Sequence, residues 1–493
     1  YAEEVFANPA NFPREGRNVD IQGAMVLVDH RNGEVKALMG GRKYERRRGF
    51  NRALSAHRQP GSSIKPLTVY CPALESGYMP FYVQNDAPIS YQTGGSVWSP
   101  KNFDGTFRGP ITMRTGVRQS INTYSVQMLD KIGVRKSFDF GRTLGLSLVD
   151  SPGKNDLSLS PLSLGGLTYG VTPMEMAGAY SAIASGGVYI KPHLIRSIVD
   201  EDGAEIYRYE PHYKRVMKEQ TAWLMTDMLK GVVNEAGGTG TAAAVPGVIT
   251  AGKTGTTEKN QDAWFCGFTP GYTMTVWIGY DEKLVMREQY GGGCPARLFR
   301  SVMSKMHENN HPKARAMPSG IIKVTVCSKS GKLPSELCPQ DELITDYCTR
   351  SAAPKETCDA HQVIYICPES GKLAGKYCPH PVPFTPTVDE NGTETRPPTE
   401  KCDIHTEPQL FKNYNNTYDP QKGGEVYICT DPRHEGRIYK ANIPGTLSSG
   451  GCPDQYIQKV ELPPGKEIET CPLPDHQLKT KKPKEVIQEI LDH

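Results

Sequence analysis

Two strand-like stretches near the start of the chain and three close together far downstream constrain this fold more than any other feature. Gly23-Ala-Met-Val-Leu-Val-Asp29 and Glu34-Val-Lys-Ala-Leu-Met39 flank His30-Arg-Asn-Gly33, where Asn32-Gly33 is a hairpin turn signal. Residues 247–257, 263–268 and 274–280 then follow one another as strands, with Thr269-Pro-Gly-Tyr272 as the second turn. The intervening sequence has helical character. The pattern runs from Thr112 through Ser120-Ile-Asn122 to Gly133, and residues 161–187 read as two helices split by Gly170-Val-Thr-Pro173. Residues 219–236 form another helix, closed by Gly237-Gly-Thr-Gly240. Strands at both ends with helices between predict an α+β layer fold in which the first and last strands share one antiparallel sheet.

Between the hairpin and the helices lies Arg58-Gln-Pro-Gly-Ser-Ser-Ile-Lys-Pro-Leu-Thr-Val-Tyr70. Pro60-Gly61 is a turn signal, and the residues after it predict a helix with an apolar face, with Pro66 tolerated in its first turn. Ser62 and Lys65, three apart, then share a face, so a lysine amine lies within reach of a serine hydroxyl. A hydroxyl is a weak nucleophile until a base sits beside it, and a lysine shielded from water can serve as that base. A Ser-x-x-Lys pair arises by chance about once or twice in a chain this long. The second copy, Ser151-Pro-Gly-Lys154, contains Pro and Gly and reads as a loop. Residues 80–110, rich in Pro, Gly and aromatics, read as a surface excursion that lines a cleft.

The composition bounds the rest. A chain of 493 residues predicts two or three domains, and a net charge of +3 with only short basic runs gives no sign of nucleic acid. No apolar run approaches the roughly twenty residues of a membrane span, and the start at Tyr1 reads as a piece of something larger. Ten of the thirteen cysteines lie between residues 327 and 471. There a repeat appears: Val324-x-Val-Cys327 runs through Ser330-Gly-Lys-Leu333 to Cys338-Pro339. Ile364-x-Ile-Cys367 runs through Ser370-Gly-Lys-Leu373 to Cys378-Pro379, and a diverged copy runs from Val426-x-Ile-Cys429 to Cys452-Pro453. An even number of cysteines in a loop-rich tail predicts disulfides in an oxidising, extracytoplasmic setting, with Cys327–Cys338, Cys367–Cys378 and Cys429–Cys452 as pairs. Zinc is the rival reading, set aside because the tail has no Cys-x2-4-Cys knuckle. The expected domains are 1–20 (linker), 21–315 (main domain), 316–379 (cysteine-rich repeats), 380–401 (Pro/Thr-rich linker), 402–475 (a further cysteine-rich region) and 476–493 (basic tail).

Two further motifs fall in an order that suits catalysis. Ser120-x-Asn122 stands beside a predicted helix, and Lys253-Thr-Gly-Thr-Thr257 stands on a predicted strand. Lys-Thr-Gly is expected by chance only about a tenth of a time at this length, so it carries more weight than the others. Gly255 suggests a strand edge against which a substrate backbone can lie, and the threonine hydroxyls with Lys253 suit a carboxylate. The backbone N–H groups of Ser62 and Thr256 are candidates for an oxyanion hole.

Ser-x-x-Lys, Ser-x-Asn and Lys-Thr-Gly together resemble the motif set of penicillin-binding proteins and serine β-lactamases. Gln59-Pro-Gly-Ser-Ser-Ile-Lys-Pro66, Phe50-Asn-Arg-Ala53, Arg118-Gln-Ser-Ile-Asn122, Tyr169-Gly-Val-Thr-Pro173 and Gly252-Lys-Thr-Gly-Thr-Thr257 resemble segments of class A penicillin-binding proteins, over about residues 20–310. Thr115-Gly-Val117 departs from the Ala-Leu usual there. The resemblance implies a serine β-lactamase/D,D-transpeptidase-like fold: an antiparallel sheet flanked by helices, an all-helical subdomain, then a small disulfide-rich, mainly β tail. It implies peptidoglycan transpeptidation, with Ser62 as nucleophile, Lys65 as base, Ser120 and Lys253 as proton relay and Asn122 holding the donor peptide. Thr254 and Thr256 would bind the terminal carboxylate, and Gly255 and Thr257 belong to the same substrate-binding stretch. It further implies donor and acceptor stem peptides as substrates, covalent inhibition by β-lactams, and no metal or organic cofactor. A preceding glycosyltransferase domain and membrane anchor, extracytoplasmic placement at a bacterial wall, and wall-assembly proteins as partners belong to the same expectation. A serine β-lactamase is the first alternative, but no Glu-x-x-Asn or Glu-x-x-x-Asn falls between Asn122 and Lys253 to supply a base for water. A β-lactam-sensing receptor and a non-catalytic wall scaffold are the others.

Overall fold

The computed structural model describes residues 1–14, 19–44, 47–93, 95–378, 381–385, 395, 397–405, 418–443 and 448–480. The chain divides into two compact units, Tyr1–Gln362 and Val363–His493. In the first, strands β1 (Gln22–Asp29), β2 (Glu34–Met39), β3 (Ala251–Thr256), β4 (Asp262–Thr269) and β5 (Tyr272–Gly279) form one sheet in the order β3-β4-β5-β1-β2. Every pairing is antiparallel, and β1 runs against β5 from Gln22 opposite Gly279 to Asp29 opposite Tyr272. The two ends of the domain are therefore zipped together, as the sequence pattern requires.

The strands are buried on both faces because their side chains alternate between two cores. Ala24, Val26, Val28, Trp264, Cys266, Phe268 and Trp277 face one core, while Met25, Leu27, Phe265, Met274, Val276 and Ile278 face the other. Five helices matter below: α1 (Ala2–Ala7), α2 (Asn122–Ile132), α3 (Pro173–Ala184), α4 (Glu219–Asn234) and α5 (Cys294–His307). Helices α3 and α4 belong to the first core, α1 and α5 to the second. Thr172 and Glu175 form the reciprocal capping box that opens α3, with Pro173 in the first turn. The expected linker at the start is thus partly helix: Val5 and Phe6 are buried, and Phe6 meets Phe12 edge-on at 5.7 Å. Six residues are too short to display a helical period, so their role emerges only from the face that they cover.

Ser62 opens a composite helix rather than a simple one. A 3₁₀ turn, Gly61–Ile64, passes into a wide turn, Pro66–Tyr70, and then into an α-helical turn, Cys71–Glu75. Ser63 through Leu74 are buried without interruption, so the segment is a central helix rather than one with a single apolar face. The other Ser-x-x-Lys, Ser151–Lys154, turns between two exposed two-residue strands.

The first unit continues into the cysteine-rich region. Strands β6 (Ile321–Cys327) and β7 (Leu343–Thr349) pair antiparallel, and Arg114 bridges Asp227 at 2.8 Å and Asp346 of β7. In the second unit, β8 (Gly424–Cys429) pairs with β9 (Ile457–Leu462) and, on its other edge, with Tyr439–Lys440. The disulfide expectation is corrected here: all thirteen cysteines are free. Cys327 and Cys338, Cys367 and Cys378, and Cys429 and Cys452 do come together, but each pair gains a third cysteine and a histidine. The tenth tail cysteine, Cys348, is a fully buried core side chain on β7. Three groups of three and one core thiol make up an even total without any pairing. Half of the Pro/Thr-rich linker and most of the basic tail expected from sequence lie outside the described residues.

Truncating a fully buried phenylalanine costs about 3 kcal/mol or more when the cavity cannot collapse. Phe6→Ala is therefore expected to lower stability by that order in urea titration, whereas a linker residue would give no measurable change.

Candidate active site

The composite helix, the kink before α2 and strand β3 converge on a cleft of about 760 Å³ lined by Ser62, Ser120, Asn122, Thr254, Thr256 and Thr257, among others. The turn that carries Ser62 is pressed against β3. Gly61 has φ +53°, and a Cβ there would lie 2.5 Å from the Thr256 carbonyl oxygen. On the facing strand, a Cβ on Gly255 would lie 2.3 Å from the Pro60 carbonyl oxygen. Gly255 therefore makes room for the turn behind Ser62.

Ser62 is partly exposed in the cleft, while Lys65 and Lys253 are fully buried. Lys65 Nζ donates to Ser120 O at 2.9 Å and to Asn122 Oδ1 at 2.7 Å. Lys253 Nζ donates to Ser120 Oγ at 2.8 Å and to Thr254 O at 3.1 Å. Neither amine has a carboxylate partner among the described residues. Burial pushes the Lys253 amine down to about 7. Burial, reinforced by the nearby Lys253 charge, holds the Lys65 amine well below its usual range. Both lysines are thus set up to exist as neutral amines, the state in which one can accept a proton.

Ser120 links them from a strained position. Its φ of 61° is left-handed, rare for a residue with a Cβ, and it falls in the break between the helix Met113–Arg118 and α2. The kink delivers the Ser120 carbonyl to Lys65 and its hydroxyl to Lys253. Asn122 opens α2, and its backbone N–H donates to Asn102 Oδ1 at 3.0 Å, so Asn102 caps the helix from outside. Asn102 is in turn held by Asp86 Oδ1 at 2.7 Å, and Asn122 Nδ2 donates to Lys101 O at 2.8 Å. The 80–110 excursion thus positions the site as well as lining it. Nothing in the spacing of Asp86 or Asn102 announces this, because their partner is distant in sequence.

The threonines divide by role. Thr254 Oγ1 and Thr239 Oγ1 share a hydrogen bond of 2.7 Å, and Thr256 Oγ1 accepts from Gly291 N–H at 3.2 Å. Thr257 Oγ1 accepts from the N–H groups of Gln261 at 3.0 Å and Asp262 at 3.1 Å, closing the β3–β4 turn. Thr239 was seen in the sequence only as part of a helix-ending glycine run. Its pairing with Thr254 makes it a further cleft residue.

Comparison with known proteins agrees with this architecture. The fold is similar to that of penicillin-binding protein 1A from Haemophilus influenzae, with a TM-score of 0.61 and 26% identity over 69% of this chain and 54% of that one. It is also similar to PonA1 from Mycobacterium tuberculosis, with a TM-score of 0.55 and 24% identity over 64% of this chain and 85% of that one. The profile of the penicillin binding protein transpeptidase domain matches residues 23–304, so the chain belongs to that family. Residues 317–363 match the penicillin-binding protein 1A C-terminal domain. Among curated relatives, penicillin-binding protein 1A of Clostridium tetani is 34% identical over 70% of this chain and 45% of its own length. Penicillin-binding protein 1F of Bacillus subtilis is 35% identical over 71% and 46%. The chain spans about half the length of these relatives.

The strain at Ser120 can be isolated by comparing two substitutions that remove the same hydroxyl. Ser120→Gly is expected to be more stable than Ser120→Ala by about 1 kcal/mol, because only glycine adopts this backbone freely. Thermal unfolding of the two variants checks it.

Proposed function

We propose that the chain is a peptidoglycan D,D-transpeptidase that works through an acyl-enzyme on Ser62. The carrying observation is that two buried lysines with lowered basicity meet at one serine–asparagine kink in a cleft that also exposes Ser62. In the first step the Ser62 hydroxyl proton passes to the neutral Lys65 amine, and Oγ attacks the carbonyl carbon of the D-Ala–D-Ala bond. The backbone N–H groups of Ser62 and Thr256 would stabilise the oxyanion, a reading supported by the close approach of the Gly61 turn to Thr256. Ser120 Oγ, with Lys253 behind it, relays a proton to the departing D-alanine nitrogen, leaving an ester on Ser62. Asn122 orients the donor amide, and the hydroxyls of Thr254 and Thr256 receive the terminal carboxylate. The amine of a neighbouring stem peptide then attacks the ester, its proton returns through the lysines, and the Ser62 hydroxyl is restored. Hydrolysis in place of the last step would give carboxypeptidation from the same intermediate.

A β-lactam presents a similar carboxylate and strained amide, so it would acylate Ser62 in the same geometry; the name of one solved neighbour records a complex with penicillin V. The cleft-lining carboxylates Asp104 and Glu258 are exposed, and Asp104 is paired with Arg108, so among the described residues the cleft holds no buried carboxylate to activate water. The adduct is therefore expected to persist. In the longer protein, a glycosyltransferase domain and membrane anchor ahead of this region, and action outside the cytoplasm, complete the proposal. Among the described residues no helix is long and apolar enough to cross a membrane.

Intact-mass spectrometry after incubation with benzylpenicillin should show one stable adduct on the wild type and none on Ser62→Ala. An unmodified wild type, or an adduct retained by Ser62→Ala, would overturn the assignment.

The pH dependence follows from the lysines. The active state carries neutral amines, whose fraction grows with pH, so the acylation rate should fall as pH drops through about 7, where Lys253 takes up its proton. Rates of adduct formation from pH 8 down to 5 test the sign; a rate that rose on acidification would contradict the roles given to both amines.

A further inference from the structure

The cysteine-rich modules gather twelve side chains into three equivalent clusters outside the cleft. They are Cys327, Cys338, Cys358 and His361; Cys367, Cys378, Cys402 and His405; and Cys429, Cys452, Cys471 and His476. Within each, the ligand atoms lie within 4.8 Å of one another, and nearly every member is buried. From these clusters we infer that the chain carries three structural zinc centres, each formed by three cysteine thiolates and one histidine.

The geometry is that of a tetrahedral site. With Zn–S of about 2.3 Å and Zn–N of about 2.0 Å, a tetrahedral centre separates sulfur from nitrogen by about 3.5 Å. His361 Nδ1 lies 3.5 Å from Cys327 Sγ and 3.4 Å from Cys358 Sγ. The matching distances are 3.4 and 3.3 Å for His405 to Cys367 and Cys402, and 3.5 Å for His476 to both Cys429 and Cys471. Three sulfurs cannot all be satisfied by disulfides within a cluster, because one is always left over. One metal ion satisfies all three and the histidine.

A second, independent regularity concerns the far side of each imidazole. His361 Nε2 lies 2.7 Å from Glu342, His405 Nε2 lies 3.3 Å from Glu369, and His476 Nε2 lies 3.3 Å from Asp431. A carboxylate at Nε2 keeps the proton there and turns the bare Nδ1 toward the sulfurs, the arrangement that metal-bound histidines use to fix tautomer and orientation. All three modules share it, although the carboxylate follows the first cysteine by fifteen residues in the first module and by two in the others. Backbone N–H groups also point at the sulfurs: Ser335 to Cys338 at 3.3 Å, Gly375 to Cys378 at 3.1 Å, and Asn442 to Cys452 at 3.3 Å. Such donors stabilise thiolate charge. His434 Nε2 also approaches Cys471 Sγ, at 3.3 Å, so the third centre has a second imidazole against its ligand set.

Loading each centre is a simple exchange: one hydrated zinc ion gives up its waters, and three thiols release three protons to the buffer. Ligand spacing explains why the sites escape a search for Cys-x2-4-Cys. The close pair is cysteine with histidine, in Cys358-Asp-Ala-His361, Cys402-Asp-Ile-His405 and Cys471-Pro-Leu-Pro-Asp-His476, while the other two sulfurs come from the preceding strand end and turn.

The test uses the full chain, purified without chelator, incubated with zinc chloride and desalted. Elemental analysis should return three zinc ions per chain. Alkylation in denaturant without reductant should modify all thirteen cysteines. Cys402→Ser should lower the content to two ions, with benzylpenicillin acylation of Ser62 as the check that the transpeptidase region is folded. Glu342→Gln, which leaves every ligand in place, should weaken zinc at the first centre by about tenfold to a hundredfold, read by competition with a chromophoric chelator. Fewer than three ions after loading, or tail cysteines that resist alkylation until reduced, would overturn the inference.

Discussion

Two lysine amines buried in one site, with no carboxylate partner for either among the described residues, are the constraint on which the rest of the first unit depends. A charged ammonium in such a place is costly, and the second charge would repel the first. The protein meets this by offering neutral acceptors, the Ser120 carbonyl and hydroxyl and the Asn122 amide oxygen, rather than counter-charges. Carbonyls and amides stabilise an amine without holding its proton as firmly as a carboxylate would. The site thereby keeps both amines less basic than usual, which a buried ion pair would forfeit.

Keeping the lysines there places demands on the backbone. Ser120 must take a left-handed conformation to present two acceptors in two directions, and Gly61 and Gly255 must lack side chains so that the serine turn can touch β3. The sheet order serves the same end: β3 is an edge strand, so one side pairs with β4 and the other is left for the cleft. The strain at Ser120 is held by its surroundings, with Asn102 and Asp86 securing the start of α2 directly after it.

What could be read from the sequence follows from how far each signal reaches. The hairpin turn at Asn32-Gly33, the meander and the cap at Thr172-Pro173 are local, and each stands where its residues place it. The motif serines and lysines were legible for the same reason: three or four residues identify each, and only their meeting is a property of the fold. What the sequence does not display is non-local. The Pro60 carbonyl behind Gly255 is invisible in the strand's own residues, and so is the turn whose N–H groups donate to Thr257 Oγ1. The cysteine tail shows the limit most clearly. Parity and composition favour disulfides, yet parity is uninformative once one thiol, Cys348, belongs to the core and the others gather in threes.

The three modules also show how a chain segment too small for a core can still hold one shape. Among the described residues, only Ala374 adds apolar packing around Cys367, Cys378 and Cys402, and only Leu343 does so around the first cluster. Burial on that scale cannot offset the entropy of ordering the loops, so a cross-link of some kind is required. A metal centre supplies four bonds where a disulfide supplies one, and it fixes the turn as well as the strands. In the first module that turn is not idle. Gly331, with φ +71°, lies so close to the Phe81 carbonyl that a Cβ would come within 2.6 Å. Phe81 leads into Val83–Asp86, whose Asp86 holds Asn102 and hence the capped start of α2. The knuckle around Cys327 thus braces the outer wall of the cleft, and a fixed Ser120–Asn122 kink needs that wall to stay in place.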